Sequence, residues 1–476
     1  MGRYDFFFIT ISFIFGGLCS VLYSITVRKE VLSFCVVVMI ILSRLPYKSF
    51  FQLLNSFNAY FIFFLLGAYI CTVKYGFKCG EELKDVKSYY VMSLCTKDLS
   101  KKWNRIEALF ICYHAEDGVI KNPRGKVKIQ LFLYRNEGMR DIQYGDILRI
   151  NSTPKDITPA GEYVDYKKKL IADGILFQDF VYPKSVSYVC NEPVNRLACW
   201  FSVLNFKLNR RLRIFIKNPD DASLASAIIL GRKEGSNSNI LRAYNKAGVS
   251  HFVAISGLHI NFLLVIINML LSLFLRSNRG CIKFMRRMIT LILLWFYTAL
   301  IGAPPSALRA TTMTSFFILF NYSGIKCVLL RQIFISMFVL VLFSPRILFS
   351  IGAQLSYCAM FGISLIYINV IRLFKIRISI LRYILTTIIL SFSIHIFTLP
   401  LLIYYFRQIS SYSLLSNLFI VPFGVFIYAL GLLTIATSFF NDYINHIVAF
   451  FFALLLRFVN CFIVYVSELP GSVIYF

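Results

Sequence analysis

The sequence predicts a polytopic α-helical membrane protein with one small all-β domain inserted between two hydrophobic blocks. Composition is the first observation. Hydrophobic residues make up 58% of the 476 residues and charged residues only 15%, whereas about a quarter of a soluble domain is charged. The distribution of acids is the second, because 15 of the 23 acidic residues lie within residues 74–190. A water-soluble fold of this composition would expose large apolar patches, so a soluble globular protein is excluded.

Residues 1–73 form the first hydrophobic block, with about three predicted transmembrane helices. A spanning helix needs about 20 apolar residues. Residues 5–25 meet that length, residues 31–43 are short, and residues 58–73 are borderline. Residues 5–25 are too long and too aromatic for the apolar part of a signal peptide, so we interpret them as a membrane anchor.

Residues 74–190 alternate between strand-length runs and turn signals, which predicts a small β-barrel or sandwich. In the run "VKIQLFLY", which begins at Val127, every second residue is aliphatic. Side chains alternate along a strand, so the aliphatic residues form a buried face. The opposite face carries Lys128, Phe132 and Tyr134.

This opposite face has the residue types of a surface that binds single-stranded nucleic acid, in which aromatic rings stack on bases and cations contact phosphates. The predicted DNA contacts are Lys126, Lys128, Phe132, Tyr134 and Arg149. In the alternative interpretation, Phe132 and Tyr134 pack under a neighbouring loop.

Residues 191–231 are predicted to form amphipathic helices that lie along the membrane surface. Apolar residues recur at helical spacing from Leu197 to Phe215, and the cations Lys207 and Arg210 lie mostly opposite them. A basic amphipathic helix of this kind contacts lipid headgroups.

Residues 232–476 form the second hydrophobic block, with about eight predicted crossings and thus about eleven in the chain. They lie near residues 251–275, 288–303, 305–324, 331–344, 347–371, 383–404, 413–440 and 443–467.

Two strongly basic loops of this block set the predicted orientation. "RSNRGCIKFMRR" and "RLFKIRISILR" are separated by four predicted crossings, so both lie on one side of the membrane. The positive-inside rule places that side in the cytoplasm. Counting back along the crossings places residues 74–190 outside the cytoplasmic membrane.

Polar residues inside the apolar segments form a set that we predict lines a shared interior. Ionisable and amide groups at membrane depth are costly unless they face a protein interior or a water-filled cavity. Helix-breaking prolines and glycines are tolerated where the freed backbone lines such a cavity. The predicted channel-lining residues are His251, Ser256, Gly257, His259, Ser306, Arg309, Gln354, Ser356 and Asn417.

Other interpretations apply to the same residues. Ser256, His259, Gln354 and Asn417 can hold helices together through hydrogen bonds, and Arg309 can extend to the membrane interface. A nucleophilic pair of Ser256 and His259 is a further interpretation, but no acid that would orient the histidine lies near in sequence.

The same phrases resemble the ComEC competence family. "HFVAISGLHI", which begins at His251, resembles that family's signature. "PPSALRATTM", "GAQLSYCAMFGI" and "SNLFIVP" follow in the family's order and spacing. Upstream, "PAGEYVDYKKKLIADGI" resembles the element that closes the family's N-terminal domain. The resemblance covers most of the chain.

The resemblance implies an OB-like extracytoplasmic β-domain and an inner-membrane channel for single-stranded DNA uptake during natural competence. The partners it implies are single-stranded DNA, membrane lipids and a separate DNA receptor. A cytoplasmic ATP-driven motor is expected as another protein, because the chain has no Walker-type phosphate loop. The alternative function is transport of another anionic substrate with the β-domain as its receptor, since the basic bias suits any polyanion.

No enzymatic activity, metal or cofactor is expected. Many family members continue into a metallo-β-lactamase-like domain, whereas this sequence stops directly after its last predicted crossing. We therefore expect either that a separate protein supplies the nuclease or that this activity is dispensable. The five histidines are scattered, and a zinc site groups its ligands at short spacing. Disulfide pairing among Cys79, Cys95, Cys112 and Cys190 is open in an oxidising compartment.

The predicted orientation can be tested by thiol labelling. Single cysteines introduced within residues 120–150 of a cysteine-free variant should react with a membrane-impermeant thiol reagent on intact cells. Labelling that appears only after cell lysis would show that the predicted topology is wrong.

Overall fold

The computed structural model describes most of the chain beyond residue 85. The described residues are 10, 12–14, 66, 67, 86, 88–98, 103–114, 120, 121, 127–134, 142–157, 170, 175–193, 195–232, 238–275, 279–322, 329–344, 347, 350–374, 378–440 and 442–475. The predicted N-terminal crossings therefore lie outside the described residues, apart from a few positions. One of these, Phe13, is buried against Leu340 and Val341 of the second hydrophobic block.

Eight strands form one mixed sheet. They are β1 (Tyr89–Asp98), β2 (Trp103–His114), β3 (Ile120–Lys121), β4 (Lys128–Tyr134), β5 (Asp146–Ile150), β6 (Lys155–Asp156), β7 (Ile175–Val181) and β8 (Val186–Asn191). The order is β6-β7-β4-β2-β1-β5-β8, with β3 paired to β2. Strands β4 and β7 run parallel, and the other pairs are antiparallel. A separate sheet domain is thus confirmed. Because its described pairings follow one open path, the OB-like fold stays a prediction.

Strand β4 shows the alternation that its sequence predicts. Ile129, Leu131 and Leu133 are at most 4% exposed and belong to the apolar core of the sheet. Gln130 lies on the opposite face and is nevertheless only 1% exposed. Its register partners on the two neighbouring strands are Glu107 and Gln178, whose long side chains flank it.

A buried hydrogen-bond group links β1 to β7 through the core. The Tyr89 hydroxyl donates to Asp179 Oδ2 at 2.6 Å, and the Ser152 hydroxyl donates to the same oxygen. Burial, followed by the nearby Asp179 carboxylate, raises the pKa of Tyr89 above its ordinary value. The phenol therefore stays protonated and satisfies an oxygen that is cut off from water.

Twelve helices follow in the described part of the chain. They are α1 (Arg196–Phe215), α2 (Pro219–Leu230), α3 (Ser238–Lys246), α4 (Ser250–Val253), α5 (Gly257–Phe274), α6 (Gly280–Leu300), α7 (Pro305–Tyr322), α8 (Leu329–Phe343), α9 (Ile351–Ile371), α10 (Ser379–Phe406), α11 (Ser413–Thr437) and α12 (Asp442–Glu468). Each of the eight segments predicted as crossings of the second block overlaps one of the helices α5 to α12. Short strands β9 (Gln408–Ser410) and β10 (Val473–Tyr475) pair antiparallel.

Five of the described helices are long and apolar enough to cross a membrane: α5, α9, α10, α11 and α12. Helix α8 is apolar but has 15 residues, and α6 begins with the basic residues of a predicted cytoplasmic loop. A mostly helical chain with candidate membrane-spanning helices is therefore confirmed. The number of eleven crossings stays a prediction.

Helix α1 is anchored through polar groups as well as apolar ones. Its buried residues are Asn205, Leu208, Asn209 and Leu212. Asn205 Nδ2 donates to the backbone oxygens of two other helix ends, Leu230 at 3.0 Å and Leu300 at 2.9 Å. These bonds turn the asparagines inward, whereas Leu197, on the predicted apolar face, is 72% exposed. The location along the membrane surface stays a prediction.

An ion pair joins α2 to the middle of α12. Asp221 is 3% exposed, and its Oδ2 accepts from Arg457 Nε at 2.8 Å. Asn460 Nδ2 lies 3.4 Å from the other carboxylate oxygen, and the Tyr244 hydroxyl donates to Asn460 Oδ1 at 2.8 Å. The carboxylate is therefore compensated by groups from α12, and α3 is tied to the same network.

Helices α9 and α10 approach closely at Gly362. A Cβ atom at Gly362 would lie 2.2 Å from the backbone oxygen of Ser393, so a larger residue would force the helices apart. Small residues at helix contacts permit this close packing in membranes. The α9 backbone widens into a π-helical turn immediately afterwards, over Ile363–Tyr367.

The Asp221–Arg457 pair generates a stability prediction. Arg457→Met should lower the free energy of unfolding by about 1–3 kcal/mol, because it leaves a buried carboxylate without its cation. Adding Asp221→Asn should recover more than half of that loss, since the amide carries no charge to compensate. Thermal unfolding in a non-ionic detergent measures both changes, and a double variant no more stable than Arg457→Met would contradict the assignment.

Candidate functional site

The outer face of the sheet carries a cluster of aromatic rings, which we call the aromatic face. It consists of Trp103 on β2, Phe132 and Tyr134 on β4, Phe180 on β7, and Tyr182 directly after β7. Phe132 and Phe180 stack at 4.7 Å with an interplanar angle of 12°. Trp103 contacts Tyr134 at 5.1 Å and Tyr182 at 5.8 Å. The rings therefore form one continuous apolar surface across three strands.

Solvent reaches this surface from the β7 side. Phe180 is 52% exposed and Tyr182 is 59% exposed, which is unusual for large rings that already contact one another. Phe132 and Tyr134 are half-buried beneath them. The alternative interpretation of Phe132 and Tyr134 thus holds in part, since they pack against neighbouring residues, and these neighbours are themselves exposed rings.

The predicted cations of this domain are distributed unevenly. Lys128 lies at the start of β4, on the same strand as Phe132. Arg105, which sequence reasoning missed, is the register partner of Phe132 on β2. Arg149 lies elsewhere, on β5, with its guanidinium 5.9 Å from the ring centroid of Tyr90. Lys126 lies outside the described residues.

The start of α5 is closed by a capping box. Ser256 is the N-cap, and its Oγ accepts from the backbone N–H of Leu258 at 3.2 Å. In return, the backbone N–H of Ser256 donates to His259 Nδ1 at 3.1 Å. Side chains that satisfy the free N–H groups at a helix start stabilise it. Ser256 and His259 are therefore local structural partners.

His259 is enclosed by aromatic rings. It is 0% exposed, and the ring centroids of Phe252 and Tyr428 lie 5.8 Å and 5.5 Å away. Because Nδ1 accepts a hydrogen bond, Nε2 carries the proton, and Nε2 is buried with no hydrogen-bond partner. In this conformation His259 contacts protein atoms, so its predicted place in a channel lining stays a prediction.

Arg309 is a buried cation on α7. It is 5% exposed. Its Nη1 contacts Met313 Sδ at 3.3 Å, and its guanidinium lies 5.8 Å from the Tyr357 ring centroid. Nε is buried without a hydrogen-bond partner. The alternative interpretation, in which this side chain extends to the membrane interface, does not agree with the structure. The guanidinium instead points into the bundle toward Tyr357.

The beginnings of α5 and α7 meet beside this cation. Ser306 Oγ, in the first turn of α7, donates to the backbone oxygen of Ile255 at 2.7 Å. A Cβ atom at Gly257, the first residue of α5, would lie 3.0 Å from Arg309 Nη2. The structure therefore brings Ser256, Gly257, Ser306 and Arg309 together.

The described contacts do not join the other predicted lining residues to this group. Gln354 Oε1 accepts from the Tyr405 hydroxyl at 2.9 Å, which links α9 to α10. Ser356 is half-buried on the same helix as Gln354. Asn417, on α11, has a buried Oδ1 without a hydrogen-bond partner. His251 on α4 is exposed.

Sequence reasoning missed a polar contact between α10 and α11. His395 Nε2 lies 3.0 Å from Ser413 Oγ, and its Nδ1 lies 2.8 Å from the backbone oxygen of Ser391. Gly248, three residues before His251, packs against the same serine, because a Cβ atom at Gly248 would lie 2.6 Å from Ser413 Cβ. The histidines of "HFVAISGLHI" and of α10 thus belong to one region, although 144 positions separate His251 from His395.

Cysteines in the sheet domain bear on the open question of disulfides. Cys112 and Cys190 are free thiols, and partial burial raises the pKa of the Cys112 thiol. Cys79 and the side chain of Cys95 lie outside the described residues. Among the described residues, no three metal-ligating side chains come together.

Comparison with known proteins places the helical block in a family. Residues 228–476 match the family model described as Competence protein. The chain is 29% identical over 240 residues to "ComE operon protein 3" of Bacillus subtilis (strain 168), which is 50% of this chain and 29% of that relative. No solved structure matches the chain.

The matched region contains every predicted channel-lining residue, from His251 to Asn417, and excludes the sheet domain with its aromatic face. It takes in more than half of the chain. The capped start of α5, the buried Arg309 and the helices α5 to α12 are thus features of a protein that belongs to the Competence protein family.

Proposed function

We propose that the protein passes single-stranded DNA across the cytoplasmic membrane during competence. Membership of the Competence protein family supports a role in DNA uptake. In this proposal, the helices α5 to α12 form the conduit, and the sheet domain lies on the outer side of the membrane, where it receives the strand. The protein itself makes and breaks no covalent bond.

The aromatic face is the observation that favours single-stranded over duplex DNA as the substrate. In a duplex the bases are stacked on each other, so only an unpaired strand offers base faces to protein rings. Phe180 and Tyr182 provide exposed rings beside Phe132 and Tyr134. Arg105, the register partner of Phe132, and Lys128, four residues before Phe132 on β4, supply positive charge.

Partners complete the proposed process. In this proposal, the energy for transport comes from a separate cytoplasmic motor. A separate receptor delivers the DNA, and a separate nuclease removes the strand that is not transported. Membrane lipids contact α1 and the exposed apolar faces of the spanning helices.

Binding to the aromatic face can be measured with the full chain in a non-ionic detergent. Phe180→Ala and Tyr182→Ala should each weaken binding of a labelled single-stranded oligonucleotide by about tenfold, because base–aromatic stacking contributes about 1–3 kcal/mol per base. Fluorescence anisotropy gives the affinities. Binding should weaken steeply as salt rises, since phosphate contacts release counterions.

Tyr188→Ala is the matched control, because Tyr188 is an exposed tyrosine (45%) on β8, away from the aromatic face. It should leave the affinity unchanged. Equal weakening by Tyr188→Ala, or equal affinity for duplex and single strand, would remove the receptor role. Displacement of the oligonucleotide by any polyanion with the same affinity would favour the transport of another anionic substrate.

Transport is tested in cells by the entry of labelled DNA into the cytoplasm. Ser256→Leu, His259→Ala and Arg309→Ala should each reduce entry at normal protein level and normal membrane insertion. Ser256→Leu is the sharpest of the three, because it adds bulk where α5 and α7 meet. Normal entry with both Ser256→Leu and Arg309→Ala would exclude a channel-lining role for these residues, whereas loss of protein from the membrane would assign them a structural role.

A further inference from the structure

Two helix starts and one buried cation meet at the junction of α5 and α7. The N-terminal end of a helix carries a partial positive charge, because its first N–H groups point outward along the axis. The ends at Gly257 and Pro305 are held together by the bond from Ser306 Oγ to the Ile255 oxygen. Arg309 adds a full positive charge one turn into α7.

Arg309 is placed where an arginine by itself is unfavourable. Its Nη2 lies so close to Gly257 that an added Cβ there would be 3.0 Å away, so the guanidinium faces the positive end of α5. Burial strengthens this repulsion, because water does not screen it. A cation inside an apolar bundle requires an opposite charge or several hydrogen bonds.

The described residues of the chain do not provide that opposite charge. The contacts of Arg309 are a methionine sulfur and a tyrosine ring, and its Nε has no partner. Asp221, the buried carboxylate of the helical block, is paired with Arg457 and Asn460. Among the described residues the charge of Arg309 is thus left unbalanced, and an anionic ligand would balance it.

We propose that the junction of α5 and α7 is a binding site for a phosphoryl oxyanion, held by the Arg309 guanidinium and the N-terminal end of α5. The planar fork of an arginine matches two oxygens of a phosphoryl group, and the partial positive charge at the N-terminal end of α5 favours an anion beside it even though the capping box already satisfies N–H groups of that end. Gly257 leaves the space for this approach, because it has no side chain between the helix end and the guanidinium.

The identity of the bound group rests on the proposed function. The group is a phosphodiester of the translocated DNA strand. Gly302 is exposed and Ser306 is half-buried, so the side of the junction formed by the start of α7 is the one that a ligand reaches. Free phosphate and lipid headgroups carry the same phosphoryl chemistry, and the experiment below distinguishes them from DNA.

The test uses the full chain in a non-ionic detergent without phosphate. Inorganic phosphate at constant ionic strength should raise the thermal unfolding midpoint of the wild type and should give a saturable apparent Kd. Arg309→Met should weaken that Kd by about tenfold or more, because a charge-assisted hydrogen bond is lost. Arg331→Met is the matched control, since it removes an exposed arginine from the start of α8, and it should leave the Kd unchanged.

Two further variants keep the proposal testable if Arg309→Met does not fold. Arg309→Lys keeps the charge but not the fork and should bind phosphate with intermediate affinity. Gly257→Ala crowds the guanidinium and should weaken binding while Arg309 is intact. A phosphate effect of equal size in the wild type and in every Arg309 and Gly257 variant would overturn the proposal.

Competition identifies the source of the phosphoryl group. A short single-stranded oligonucleotide should compete with phosphate in the wild type and lose this ability when its backbone is replaced by uncharged methylphosphonate. Stronger competition by glycerol phosphate than by the oligonucleotide would overturn the assignment to DNA. Phosphate binding that depends on Arg309, together with DNA entry that does not require the protein, would refute the proposed function and leave the anion site standing.

Discussion

The helical block depends on one constraint: inside an apolar bundle, the N–H groups at the start of a helix have to be satisfied by the chain itself. An ordinary soluble helix can leave these groups to water. At the start of α5 the Ser256 hydroxyl and the His259 ring take over that task. The placement of Gly257 and Arg309 follows, because the capped helix end fixes where α7 can pack. Polar residues that interrupt an apolar segment are therefore needed, before any other role, for its helix to begin inside the bundle.

This constraint changes the meaning of the polar residues that the sequence displays. His259 and Ser256 are bonded to each other and are accounted for within one turn. Arg309 is the residue left over, since its described contacts neither neutralise its charge nor satisfy its Nε. A residue that is expensive to bury and unsatisfied after burial is the one that points to a ligand. Burial and hydrogen bonding together, more than polarity alone, separate structural from functional candidates.

Local patterns were sufficient to predict several parts of the molecule. The helices α5 to α12 fall on the eight apolar segments because length and hydropathy are local properties. The alternation along β4 placed Ile129, Leu131 and Leu133 in the core for the same reason. The family was predicted from phrases such as "HFVAISGLHI", and the match over residues 228–476 confirms it.

Contacts between distant segments were not predictable. The parallel pairing of β4 with β7 brings Phe180 onto Phe132. The sequence of neither strand identifies the other as its neighbour. The Asp221–Arg457 pair joins residues 236 positions apart. Two asparagines of α1, Asn205 and Asn209, turn inward to bond other helices, and the apolar pattern of α1 does not reveal these contacts. In each case tertiary hydrogen bonding or packing overrides a local preference.

The parallel pairing of β4 and β7 also has a consequence for biogenesis. Antiparallel strands joined by a tight turn can pair progressively from that turn. Parallel strands are joined by a long connection, and pairings between such distant segments form slowly. Residues 135–174 lie between the two strands. The aromatic face therefore does not exist on a nascent chain until synthesis has passed β7. If the sheet lies outside the membrane, its strands have to be exported as an unpaired polypeptide and assemble only on the far side.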